Sequence, residues 1–306
     1  MQPAISVIIC TYNPRPDYLE LVLQALKVQT LPTEQWELLL VDNASNEPLS
    51  LEIDLSWHPQ AHHIREEQLG LTPARLRGIK EAVADTLVFV DDDNVLDQDY
   101  LQVALNISKD WPILGAWGGQ IIPEFEEPPP DWTKPYLPML AIREFERDKW
   151  SNLLHNYETT PHGAGLCVRK VVAKKYYELI HNEQKRASLD RKGQQLLCCG
   201  DTDLALTSWD VNLGTGEFVS LKLTHLIAKN RLQEEYLLRL AEGNGYSTII
   251  LESFRGKMPD LPNSSWRSNL FELYKLWWMT PRDRRFYKAF QTGRGLAIQE
   301  ILKHEL

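Results

Sequence analysis

TLVFVDDDNVL, residues 86–96, runs from apolar residues into three consecutive aspartates and back to apolar residues. Thr86 to Val90 has the β-branched and aromatic character of a buried strand. Three adjacent carboxylates cannot share that burial, because desolvation and mutual repulsion both oppose it. They belong at the strand's exit, either solvated or neutralised by a bound cation. Alternate residues of an extended chain point the same way, so Asp91 and Asp93 can share a ligand face while Asp92 turns aside. A hard divalent cation seeks such oxygens, and Mg²⁺ favours one or two carboxylates plus substrate phosphates.

The same grammar recurs upstream. Ala4 to Cys10 is a β-branched run closed by a turn at Asn13-Pro14, and Trp36 to Val41 is a second apolar strand ending at Asp42. His62 to Glu66 reads as a short third strand. Between them Leu19, Val22, Leu23 and Leu26 recur at helical spacing. Pro73 to Ala84 reads as a helix with proline in its first turn. Asp97 is placed to cap a further helix, whose apolar stripe is Tyr100, Leu101, Ala104 and Leu105. Strands alternating with helices over the first 110 residues predict a mostly parallel sheet covered on both faces. Ligands of such sheets bind beyond the carboxyl ends of the strands. Tyr12-Asn13, Asp42 and the aspartate triplet all fall there.

The bulk numbers narrow the function classes. A chain of 306 residues with net charge −9 is no general nucleic-acid binder, which would carry a basic balance. Cys10, Cys167, Cys198 and Cys199 have no C-x-x-C spacing and read as reduced thiols of a cytoplasmic protein. No uncharged apolar stretch is long enough to span a membrane, and the N-terminus reads as a first strand, not a signal peptide. Residues 124–132, EFEEPPPDW, form a surface loop. Further on come a strand-like GAGLCVRK (163–170), a helix from about Val171, a strand near Phe218 to Leu223 and a helix from about Leu232 to Glu242. Residues 255–306 differ in charge, with ten basic and five acidic residues, a net of +5 that leaves −14 on the other 254. That segment contains NLFELYKLWWM (269–279). Its aromatics are expected to dock a helix onto the main domain, with Trp277, Trp278, Arg282, Arg284 and Arg285 on an anionic membrane surface as the alternative.

An ordered set of motifs carries a family resemblance. SVIICTYNPR (6–15), LLLVDNAS (38–45), GLTPARLRGI (70–79) and FVDDDNVL (89–96) resemble the nucleotide-sugar domain of family 2 glycosyltransferases with the GT-A fold. GGQIIPEFEEPPPDW (118–132), HGAGLCVRK (162–170), CGDTDLAL (199–206) and LTHLIAKNRLQEEYLLRLAEG (223–243) continue it, covering roughly residues 4 to 245. The resemblance implies a GT-A type α/β fold, a Rossmann-like, mostly parallel sheet flanked by helices. Residues 1–254 would form the glycosyltransferase domain, with a nucleotide-binding half (1–110) and an acceptor and catalytic half (111–254). Residues 255–306 would be a helical C-terminal extension.

It also implies roles. Thr11, Tyr12 and Asn13 would border the nucleotide, with Tyr12 stacked on the base and Asp42 accepting from a uracil-type N–H. Arg75 would face the diphosphate. Asp91, Asp92 and Asp93 would form the D-x-D element, Asp93 binding Mn²⁺ or Mg²⁺ with His225 as a second ligand. Gly119, after Gly118, and Gly163, in His162–Gly165, would give the donor sugar close backbone access, with a bulge at the first and a plain turn at the second as the alternatives. Asp201 would be the base of an inverting transfer. The family carries a Glu-Asp pair there, and this chain has Gly200-Asp201, so the partner of the base is missing. Trp132 and Asp203 are candidates for the acceptor side, a loop Trp packing on its own domain and a helix cap being the plainer readings.

The expected function is metal-dependent transfer of a sugar from a UDP-sugar to a hydroxyl of a glycan, lipid-linked or small-molecule acceptor, in polysaccharide or glycoconjugate synthesis. The expected location is the cytoplasm, or the inner face of the membrane. Two alternatives stand beside it. A sugar-phosphate nucleotidyltransferase would need a glycine-rich loop after the first strand, which CTYNPRPD lacks. A non-catalytic nucleotide-sugar binder is favoured only by the absent Glu.

Overall fold

The computed structural model describes residues 2–154, 156–190, 196–259 and 266–304. The first half alternates as the sequence predicts: β1 (Ile5–Thr11), α1 (Pro16–Lys27), β2 (Trp36–Asp42), β3 (Ala61–Arg65), α2 (Leu71–Glu81), β4 (Thr86–Val90), β5 (Asn94–Leu96) and α3 (Tyr100–Asp110). The second half adds β6 (Leu114–Phe125), β7 (Lys149–Ser151), β8 (Cys167–Arg169), α4 (Lys170–Asn182), α5 (Gly200–Leu206), β9 (Gly214–Ile227) and α6 (Glu234–Phe254). Two helices close the chain, α7 (Trp266–Trp278) and α8 (Pro281–His304).

All these strands join one sheet in the order β3-β2-β1-β4-β8-β6-β9-β5, with β7 paired to β9. β3, β2, β1 and β4 run parallel, and β8 enters antiparallel between β4 and β6. Alternation along the strands fills two layers. Ile5, Val7, Ile9, Leu38, Leu40, Val88 and Val90 pack with Leu19, Val22 and Leu26 of α1 and Leu101 and Ala104 of α3. Ile8, Leu39, Val41, Leu87 and Phe89 pack on the opposite face, with Ala74 and Ile79 of α2 and Val172 and Tyr176 of α4. These strands are apolar on both faces because both faces are covered.

Several expectations need correction. Asp97 does not cap α3: the N-cap is Asp99, and Asp97 contributes only its carbonyl, which accepts the Tyr100 N–H at 3.0 Å. Strand β6 was not evident from the sequence, and β9 is far longer than Phe218–Leu223. The two are parallel, but their register jumps from Gly119↔Phe218 to Gln120↔Lys222, a bulge in β9. Gly119 serves that bulge: a Cβ there would lie 2.1 Å from the Leu221 carbonyl oxygen. It is therefore committed to backbone packing and does not line the cavity described below.

The C-terminal extension docks through α8 and leaves Tyr274, Trp277 and Trp278 of α7 outside. Phe286 is buried with Leu237, Leu240 and Ala241 of α6, and stacks on Tyr136 at 3.7 Å. Ala297 and Ile298 pack with Ile249 and Ile250. Burying one such side chain is worth roughly 1.5–3 kcal/mol. On α7, by contrast, Leu270, Leu273, Tyr274, Trp277 and Trp278 are exposed, the two tryptophans at 68%. Their i, i+3, i+4, i+7, i+8 spacing places all five on one face. Arg284 donates to the Leu276 and Trp277 carbonyls at 2.6 and 3.2 Å, closing the end of α7. No helix among the described residues is long and apolar enough to cross a membrane.

Candidate active site

A cavity of about 680 Å³ opens at the carboxyl ends of β1 and β4. It gathers Thr11, Tyr12, Arg75, Asp91, Asp92, Asp93, Gly163, Asp201 and His225 from six separate motifs. Five carboxylates (Asp91, Asp92, Asp93, Asp190, Asp201) line it against two guanidinium groups, Arg75 and Arg231. Such a surplus of negative charge favours a cationic occupant.

Topology brings the triplet to His225. β5 pairs antiparallel with β9 so that Asn94 faces His225, and the Leu226 N–H donates to the Asp93 carbonyl at 2.8 Å. His225 Nε2 then stands 3.4 Å from Asp93 Oδ2. Arg231 Nη1 reaches both, at 2.8 Å from Asp93 Oδ2 and 2.9 Å from His225 Nε2. An oxygen and a nitrogen donor thus converge on one point that a cationic nitrogen holds, and the buried His225 Nδ1 has no hydrogen-bond partner. This pair fits a divalent cation whose remaining ligands come from phosphate. Among the described residues no cluster of three or more His, Cys, Asp or Glu forms a cage by itself.

Asp92 does not turn aside. It accepts the Thr11 hydroxyl at the floor of the cavity. Burial, then repulsion from Asp93, pushes its carboxyl up to about 7 against that bond. The three aspartates are therefore not equivalent, and repulsion is relieved partly through Asp92.

Asp201 lies in the first turn of α5, where negative charge is favoured by the helix dipole. Its Oδ2 accepts the Gly163 N–H at 2.6 Å and its Oδ1 the Thr202 N–H at 2.7 Å. Burial raises its pKa, but Arg75, His162 and these backbone donors outweigh burial and hold it below the ordinary carboxylate value. A Cβ on residue 163 would lie 2.7 Å from Asp201 Oδ2 and 3.2 Å from Arg75 Nη2, so glycine is what lets the backbone meet both. Arg75 is itself buried and paired with Asp190, Nη1 lying 3.0 Å from Oδ2. Thr72, one turn earlier on α2, donates to the same Asp190 oxygen at 2.8 Å.

Other expected residues lie elsewhere. Asp42 does not line the cavity: it is buried, with its carboxylate accepting Ser45 N, Leu49 N and Arg65 Nη1 at 2.9, 3.2 and 2.6 Å. Its neighbour Asn43 lines the cavity in its place, fixed by bonds to Gln68 O and Gly70 N at 2.8 Å each. Asn13 adopts φ 45° and ties the end of β1 to the loop after β2, accepting the Asn46 N–H at 2.9 Å. Trp132 packs on the C-terminal extension, with the Arg282 guanidinium 4.5 Å above its ring, rather than facing the cavity. Asp203 is fully buried between Arg186 (3.0 Å) and Arg255 (2.5 Å), which rules out contact with an acceptor. All four cysteines are free, and burial raises Cys10 to about 12.

Sequence reading missed Arg231, Asn43, Asp190 and the apolar wall of Met139, Leu140, Leu240 and Phe290. Arg231 and Asn43 lie within the recognised motifs, six residues after His225 and one after Asp42. Asp190 and Phe290 lie outside them and carry no local signal.

Comparison with known proteins is consistent across sequence and fold. The family model described as Glycosyl transferase family 2 matches residues 6–166, just over half of the chain. Glycosyltransferase AglE of Haloferax volcanii is 31% identical over 103 residues, 33% of this chain and 34% of that protein. The glucosyl-dolichyl phosphate glucuronosyltransferase of the same organism is 23% identical over 131 residues, 42% of this chain and 41% of that one. The chain thus spans roughly a third to two-fifths of these curated relatives. The crystal structure of S. aureus TarS 1–349 in complex with UDP matches with TM-score 0.52 and 16% identity, covering 98% of this chain and 88% of that one. The same protein in complex with UDP-GlcNAc gives TM-score 0.50 and 16% identity over 96% and 81%. At that identity the likeness establishes the shared GT-A architecture.

Proposed function

This chain belongs to glycosyl transferase family 2, and from that premise we propose that it is an inverting glycosyltransferase moving a sugar from a UDP-sugar to a hydroxyl acceptor. The observation that carries this reading is the convergence of Asp93, His225 and Asp201 on one cavity at the strand ends. The UDP and UDP-GlcNAc complexes of TarS support a UDP-sugar donor.

Each residue has a task its geometry suits. Tyr12 is exposed at the cavity, where its ring is available to a base. Asp201 Oδ1 accepts both the N–H and the hydroxyl of Thr202, whereas Oδ2 takes only the Gly163 N–H and keeps a lone pair for the acceptor proton, which the depressed pKa leaves unoccupied. Asp93 and His225 would hold a divalent cation, Mn²⁺ or Mg²⁺, which when bound neutralises charge on the departing nucleoside diphosphate. Arg231, already against both, must then shift toward the phosphates or share Asp93.

The exposed stripe of α7 supports peripheral contact with an anionic membrane, tryptophans at the interface and a basic segment around them. Sedimentation with phosphatidylglycerol vesicles is expected to fall about tenfold on phosphatidylcholine, or in Trp277→Ser/Trp278→Ser. Equal sedimentation in all three cases would remove the idea.

The reaction itself is tested by UDP release from a panel of UDP-sugars, with a hydroxyl acceptor panel that includes polyprenyl-linked sugars. One donor is expected to release UDP in an acceptor- and Mn²⁺-dependent manner. If no donor is turned over and none raises the melting temperature, the proposal fails.

A further inference from the structure

Resting on the glycosyltransferase reading, the structure assigns to Asp190 the place of the carboxylate that this chain lacks at position 200. Family resemblance puts a Glu immediately before the catalytic base, and this chain has Gly200 there. The space is not empty. A Cβ built on residue 200 would lie 2.2 Å from Asp190 Cγ and Oδ2, and 2.4 Å from Oδ1. The Asp190 carboxylate therefore fills the volume that a side chain on residue 200 would enter, from a segment ten residues earlier. Glycine at 200 and aspartate at 190 exclude each other's alternatives.

The bonds of Asp190 show what it does there. Both of its oxygens accept from Arg75 Nη1, at 3.0 and 3.1 Å, and Oδ2 also accepts the Thr72 hydroxyl. Thr72 and Arg75 are three residues apart on α2, so both face Asp190 from one side of that helix. Arg75 in turn stands beside Asp201 at Gly163. The result is a buried row of carboxylate, guanidinium and carboxylate: Asp190, Arg75, Asp201. Asp190 does not reach the acceptor hydroxyl through this row. It is a positioning residue, fixing Arg75 so that the guanidinium holds Asp201 ionised and in place. The charged and titratable groups facing Asp201 are Arg75 and His162, with Cys199, Tyr176 and Asp190 beyond them. Removing Asp190 frees Arg75 to move, so Asp201 loses the fixed cation beside it.

The decisive experiment is a swap. Four proteins are compared: wild type, Asp190→Gly, Gly200→Glu and the double variant. Asp190→Gly is expected to lose about tenfold or more in kcat, and its acid limb should shift, because Asp201 no longer faces a fixed guanidinium. Gly200→Glu alone should be destabilised by the clash. The double variant should regain most of the kcat and the wild-type acid limb, because the carboxylate returns by the other route. A double variant that folds but is no more active than the poorer single variant would overturn the assignment.

If the double variant does not fold, isosteric Asp190→Asn decides. It should lower kcat and shift the acid limb, and wild-type values for both would overturn the proposal. Melting temperatures of the four proteins need no substrate. Rescue of Gly200→Glu by Asp190→Gly in melting tests the shared volume even if no UDP-sugar is turned over. Failure of the glycosyltransferase reading and failure of this one are thus separable.

Discussion

Asp201→Asn is expected to lower turnover by about 10²–10⁴-fold while leaving UDP binding within about twofold of wild type. Asparagine keeps the size of the side chain, and its amide oxygen can still accept the Gly163 N–H that Asp201 takes at 2.6 Å. The substitution removes the proposed base and its charge beside Arg75, and it also gives up the bond that the second oxygen accepts from the Thr202 N–H. The pH profile gives a second readout. Arg75, His162 and two backbone N–H groups outweigh burial to keep Asp201 below its ordinary pKa. The acid limb should accordingly lie below about pH 4, the unperturbed value of an aspartate. The same shift has a stability sign. A folded-state pKa depressed below the unfolded one stabilises the fold above the unfolded value, and that contribution is lost as pH falls through the folded one.

Arg75→Met is the second large effect, and it falls on stability first. Arg75 is buried between Asp190, at 3.0 Å, and Asp201. Methionine fills some of the space but leaves two buried carboxylates with no cation between them. Breaking a buried pair from one side costs about 3–5 kcal/mol, a large share of the roughly 5–15 kcal/mol that holds a typical protein folded. Urea denaturation should show a lower midpoint with an unchanged slope. Any folded Arg75→Met protein should also show an acid limb at higher pH, since the strongest influence lowering the Asp201 pKa is gone. A midpoint equal to wild type would mean that Asp190 and Asp201 are neutralised by something other than Arg75.

The first half of the fold was legible because burial on both faces writes itself as unbroken apolar runs. β1, β2 and β4 are such runs, and each ends at the polar residues that the cavity or its supports use. β6 was not legible. Gly115, Gly118, Gly119 and Pro123 interrupt it, and its second half is partly exposed, so neither propensity nor alternation marks it. β9 hides behind its bulge. Its partner strand β5 is only three residues long, yet that pairing is what sets His225 against Asp93. Asp93 and His225 were readable from the motifs, whereas the residues that support the cavity were not. Asp190 and Phe290 reach the cavity by tertiary packing alone, from outside the motifs. The C-terminal aromatics divide between two roles that composition cannot separate: Phe286 docks α8, and Trp277 and Trp278 face outward on α7.

The central claim is that the cavity at the strand ends binds a nucleoside diphosphate through a cation held by Asp93. Titration calorimetry of UDP into the wild-type protein with Mn²⁺ tests it most directly, set against EDTA and against Asp93→Ala. Saturable one-to-one binding is predicted, weakened about tenfold or more in both controls. Absence of binding in Mn²⁺, or the same affinity in Asp93→Ala, would contradict the account.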